Sequence, residues 1–385
     1  MLEGFTMGWT RGVAILVTAA ASVATVLGSA TAAHANYTKE PVSLAWHPAG
    51  PVHSSVSRGG VVYVGGKLDG TGGIAAVSAT TGDLLWLLHA SNDVRALALS
   101  GDGTRLFAGG SFTAVNGQTR KHLAAINVAD HSLVSPWKGT ASGMVRDLVV
   151  RGDTVFAGGT FAKSDGVANK GIAAISATTG VRVTTFSHSV DLGVMGLALT
   201  SNTLVLSGTF TAVDGKPRAS LAAIDLSTYA LTSWAPARFC SCATYWDVQT
   251  DGTWAYVASS GSGGNFAAYN LVTGAQRWRY VHADGDIQAV WLPGDGKVYV
   301  GGHFGQQIYR TGSSASAVPA TLLAAIDPTT GLPDPNFTPK IYKTYPGVWT
   351  LTSTTNRLWV GGDFTGELQN GVNNHKPYLA AYPGV

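Results

Sequence analysis

Arg95, Arg146, Met195, Trp246, Gln288 and Trp349 hold one shared position in six related segments, and the next position holds Ala96, Asp147, Gly196, Asp247, Ala289 and Thr350. Two indoles, two guanidiniums and two carboxylates gathered in one ring would suit a sugar or a peptide. Indoles offer faces for stacking, and guanidiniums and carboxylates make bidentate hydrogen bonds. A plainer reading stands beside this one: Trp246 and Trp349 pack between neighbouring elements, and Arg146 pairs with a carboxylate to plug the centre. Asp147 and Asp247, with His303, are also the candidates for acid/base chemistry on a polysaccharide.

Two further features depart from the surrounding pattern. The stretch from His303 to Thr321 is longer than its counterparts and carries Gln306, Gln307, Tyr309 and Arg310 beside His303. It reads either as a recognition loop or as a tolerated surface insertion, since added loop length costs little entropy. Cys240 and Cys242 are the two cysteines, one residue apart in RFCSCATYWD. In an exported chain such a pair reads as a disulfide closing a small structural loop; metal binding would need further ligands, and no His or Cys cluster accompanies them. The ten histidines show no H-E-x-x-H spacing, and there is no G-x-S-x-G elbow. Arg151-Gly152-Asp153 fills a hairpin slot taken elsewhere by SGDGT and GDGK, so the turn explains it. No cofactor and no metal is expected.

The elements that must position these residues come from an internal repeat. A strand that ends in glycine in six copies and in serine in one recurs seven times: VVYVGG from Val61, LFAGG from Leu106, VFAGG from Val155, LVLSG from Leu204, AYVAS from Ala255, VYVGG from Val298 and LWVGG from Leu358. Each is followed by an apolar element with two alanines, such as Leu123-Ala124-Ala125, and many are preceded by a third, such as VRALAL from Val94. The runs are short, β-rich and bounded by turn residues, which predicts strands. A fourth strand is expected to end in Trp86, Trp137, Phe186, Trp234, Trp278 or Phe337, and Trp46 in SLAWHP supplies the seventh aromatic.

Seven units of four antiparallel strands predict an all-β fold, a seven-bladed β-propeller closed by an N-terminal strand, at about 42–48, that completes the last blade. Closure removes the open sheet edges. The blades are expected at about 51–90, 91–141, 142–190, 191–239, 240–285, 286–345 and 346–385, as one domain over 36–385. The first strand of each blade would line a central channel, which puts the Arg95 and Trp246 positions at its mouth.

Residues 1–35 are a different kind of sequence. Arg11 precedes a run of about 16 apolar residues, and Ala33-His34-Ala35 forms an A-x-A cleavage site. That is a secretory signal peptide; the run falls short of the roughly 20 residues that span a bilayer. The mature protein is expected to be secreted, without a membrane span, and a monomer. With 45% hydrophobic and 12% charged residues and a net charge of +3, the chain shows no basic stripe, so no nucleic-acid partner is expected.

The recurring GG-S/T-F, an N-G or D-G loop, LAAI-D/N and T-T-G, as in FAGGSFTAVNG with LAAIN, resembles the delta-60-type propeller repeats of exported bacterial proteins over essentially the whole mature chain. The first and fifth repeats, ending TTGDLLW and VTGAQRW, resemble the PQQ-type quinoprotein repeat. Both resemblances imply a propeller. Quinoprotein chemistry is not implied with it, because those enzymes use eight blades, adjacent cysteines and a calcium site, whereas here Ser241 separates the cysteines. Function is expected to be non-catalytic binding of an extracellular glycan or protein at the channel mouth. A polysaccharide lyase or hydrolase and a secreted scaffold are the alternatives.

Overall fold

The computed structural model describes residues 36–239, 243–261, 264–281, 285–305, 307–312, 314–342, 347–369, 372–374 and 376–385. The expected leader at 1–35, Cys240, Cys242 and Gln306 lie outside the described residues. Among those described, no helix is long and apolar enough to cross a membrane.

The repeated runs form antiparallel strands, as their β-branched and aromatic residues between turn signals predict; the paired alanines, weak strand formers, are accommodated by close sheet packing. The first sheet is ordered Val52–Arg58, Val61–Gly66, Gly73–Ser78, Leu84–His89. The same up-and-down order starts again at Val94–Leu99, Val145–Arg151, Val194–Leu199, Tyr245–Thr250, Ile287–Trp291 and Val348–Thr354. Each of these first strands lies against the first strand of the sheet that follows it in sequence, and Val348–Thr354 lies against Val52–Arg58. The core sits between sheets. Phe107 and Leu123 of one sheet, for example, pack with Val145, Val155 and Ala173 of the next.

The paired glycines make these contacts close. A Cβ on Gly109 would stand 2.5 Å from Cγ1 of Val145 in the next sheet, and a Cβ on Gly110 would stand 2.2 Å from the Asp93 carbonyl oxygen. A Cβ on Gly361 would meet Cγ1 of Val52 at 2.5 Å in the same manner, so the last sheet receives the first as the second receives the third. These glycines serve packing rather than anion binding.

The fourth strand is a correction to the sequence reading. It is extended at Leu84–His89 and Gln276–Val281, shrinks to Ala230–Leu231, and is reduced to the single bridges Ile126↔Leu133, Ile175↔Arg182 and Ile326↔Pro333 in three other sheets. Pro136, Pro333 and Pro335 remove amide donors in two of those segments, and a tight turn follows, with Trp137 N–H on Val134 O at 3.4 Å and Phe337 N–H on Asp334 O at 3.3 Å. The aromatics are buried all the same, because the turn tucks them between sheets. Trp137 Nε1–H donates to Ala177 O at 3.2 Å, Trp234 to Asn270 O at 2.8 Å and Trp278 to Pro328 O at 2.9 Å, each in the following sheet.

The N-terminal segment pairs earlier than expected. Tyr37 bridges Gly384, Thr38 N–H donates to Pro383 O and Val42 N–H to Ala381 O, both at 2.8 Å. Residues 43–49 form no strand. They run on to the first sheet, where Trp46 N–H reaches Gly82 O at 2.9 Å. Leu44 then shares one hydrophobic cluster with Val62 of the first sheet and Trp359 of the last.

Candidate ligand site along the first strands

Every first strand carries the same irregularity. The pairing register slips by one residue at His53, Arg95, Arg146, Met195, Trp246, Gln288 and Trp349. A bulge of this kind inserts an unpaired residue and re-aims its side chain. The seven bulged residues line, with Asp147 and Asp247, one cavity of about 540 Å³ that follows the first strands along their length. The structure therefore brings together Arg95, Arg146, Asp147, Trp246, Asp247, Gln288 and Trp349. It adds His53, which sequence reasoning missed. The signal was available: VHSS from Val52 aligns with VRAL from Val94, but no glycine-ended strand precedes it to frame the repeat.

His53 anchors a polar network. Its Nδ1 lies 2.7 Å from Asp93 Oδ1, Arg95 Nε lies 2.5 Å from Asp93 Oδ2, and His53 Nε2 lies 3.7 Å from Asp363 Oδ1. Burial raises the Asp93 pKa, but hydrogen bonds and charge from His53 and Arg95 outweigh it and hold the carboxyl below its ordinary value. Trp349 Nε1–H donates to Asp363 Oδ2 at 2.9 Å. The Trp349 ring meets His53 and Trp246 edge to face, both at 6.0 Å, with the Arg95 guanidinium 5.7 Å from its centroid. The two indoles are thus fixed and half-buried in the wall, each keeping some surface toward solvent.

The two ring carboxylates do different work from that expected of an acid/base pair. Asp147 accepts the Leu148 and Leu197 amides, each at 2.7 Å; Asp247 accepts the Val248 amide at 2.7 Å and the Val290 amide at 2.8 Å. Leu197 and Val290 belong to the next sheets, so each aspartate ties two sheets together. Burial, with the neighbouring Asp247 charge, pushes Asp147 up to about 8, and burial pushes Asp247 up to about 7.

Arg146 behaves otherwise. It is half-buried, its Nε is enclosed without an acceptor, and burial, then the nearby Arg95 charge, lowers its pKa. His303 is buried beside Asp286, whose carboxyl is raised by burial while His303 and Trp246 favour its charge. It lies next to the cavity rather than in its lining. Tyr309 and Arg310 are outside the lining too. Arg310 donates to Thr330 O at 3.0 Å, and Thr311 N–H reaches Arg279 O at 3.0 Å, so this part of the long loop lies over the fourth strand of the fifth sheet. Among the described residues, no three His, Cys, Asp or Glu side chains converge as a metal site.

No protein-family model matches the chain, and no curated protein matches it. Solved structures do. The WD40 β-propeller domain of Doa1 is similar over 89% of this chain and 96% of its own, with a TM-score of 0.58 and 10% identity. The WD40 repeats of RRP9 are similar over 89% and 98%, with a TM-score of 0.62 and 12% identity. At such identity the likeness is one of fold, and with the sheets described above it makes this chain an all-β repeat protein of the β-propeller type.

Proposed function

We propose that the protein is an exported bacterial propeller of delta-60-type repeats, with quinoprotein-like repeats in its first and fifth blades. In this reading it has seven blades, is closed by its N-terminal segment, and binds a glycan or a protein at the mouth of its channel without catalysis. The observation that carries the binding role is the register of bulges: one variable side chain per sheet, with half-exposed Trp246 and Trp349, projects into a cavity of about 540 Å³. That volume falls among small-ligand sites. A pure plug would need the polar groups to satisfy one another, and Arg146 is left out.

Catalysis by Asp147 and Asp247 is the weaker reading, because all four of their oxygens accept backbone amides. A general acid must present its proton to substrate. The test is a combined glycan and peptide array probed with the secreted protein and with Trp246→Ala and Trp349→Ala. Loss of the wild-type signal in both variants is expected. Unchanged binding in both would remove the channel mouth from consideration.

A further inference from the structure

Within that channel-mouth reading, on which this inference rests, the charged groups are not evenly matched. Asp93 is taken by His53 and Arg95, and Asp363 receives Trp349 Nε1–H. Asp147 and Asp247 hold four backbone amides, and Asp286, outside the cavity lining, has its carboxyl raised by burial with the His303 charge opposing. Among the described residues, Asp93, Asp147, Asp247 and Asp363 all have partners. Arg146 stands on the same wall with no hydrogen-bond or ion-pair partner among the described residues, and its buried Nε is unsatisfied.

A half-buried guanidinium without an acceptor is unfavourable, and an incoming anion relieves it. Its flat fork matches a carboxylate through two parallel hydrogen bonds. The next bulged positions on either side are Arg95, already paired, and Met195, which is apolar. The anion would therefore sit at Arg146 while the rest of the ligand reaches toward Trp246 and Trp349. A concave channel of about 540 Å³ admits a saccharide end more readily than a flat protein surface.

We infer that the channel mouth recognises a carboxylated saccharide, with the sugar carboxylate seated on Arg146 and the pyranose ring against Trp246 and Trp349. No bond is made or broken. A neutral saccharide of the same linkage would leave Arg146 unpaired and bind more weakly.

The experiment titrates the mature protein by calorimetry with a panel of uronate oligosaccharides, each beside its carboxyl-reduced neutral counterpart, and with poly-glutamate peptides. Expected is binding of at least one uronate oligomer, weakened about tenfold or more by carboxyl reduction and by Arg146→Gln, with partial recovery in Arg146→Lys. Arg146→Gln should keep the wild-type circular dichroism spectrum, since the side chain it removes holds nothing in place. The inference is overturned if no uronate binds, if the reduced sugars bind equally well, or if only the acidic peptides bind. If Trp246→Ala abolishes uronate binding and Arg146→Gln does not, the channel-mouth reading stands and the carboxylate assignment falls. If neither variant matters, both fall.

Discussion

At the scale of single residues, the sequence announced which side chains share a position but not what they do there. Arg95, Arg146, Trp246 and Trp349 could be aligned because each follows an apolar residue in a repeated strand. The roles of Asp147 and Asp247 could not be read, because they depend on amides more than forty residues away, Leu197 N–H and Val290 N–H. Those roles have a pH consequence. The folded Asp147 and Asp247 titrate near 8 and 7, against an ordinary value of 3.8. Between the two limits the folded protein holds protons that the unfolded chain has released, so the contribution of these two groups is full below about pH 4 and declines as pH rises toward 8. Urea melts from pH 4.5 to 8.5 should show that decline, and Asp147→Asn should flatten it. The same variant should be less stable at pH 5 by about 1–3 kcal/mol, because one amide would face an NH₂ group in place of an oxygen. A steeper decline in the variant than in the wild type would contradict this assignment.

Among the elements, the glycine-ended strand was the most legible and the fourth strand the least. The former is dictated locally: Gly109 and Gly110 are required where Val145 and the Asp93 carbonyl press on the backbone. The latter depends on whether proline and a tight turn interrupt pairing, and the apolar pattern that places Trp137 and Phe337 in the core is the same either way. Gly110→Ala should cost about 1–3 kcal/mol or more, since its Cβ would lie 2.2 Å from a carbonyl oxygen that the strand start holds fixed. Gly117→Ala offers the contrast: a Cβ there meets nothing within 4 Å, and only the φ of +75° resists it, at about 1–2 kcal/mol. Thermal melts of the two variants should rank them in that order; equal midpoints would show that the strand end yields.

For the whole molecule, the repetition of antiparallel sheets was readable, while the path by which the N-terminal segment meets the last sheet was not. It is set by backbone bonds at Tyr37, Thr38 and Val42 that no side-chain pattern marks. Deleting residues 36–49 should lower the melting midpoint by several degrees and raise light scattering, because it bares the edge at Leu379–Pro383 and removes Leu44 from the seam cluster. A midpoint unchanged by the deletion would mean that the seam is held by Val52 and Gly361 alone. That seam also has a topological consequence. Val385 N–H donates to Asn36 O at 3.0 Å, so residues 36 and 385 are neighbours in space. Joining them by a short linker and cutting instead at the exposed turn Asp214-Gly215 would give a circular permutant with the contacts between the larger sheets preserved. The order of the sheets would then follow from which surfaces fit together, and not from where the chain is opened.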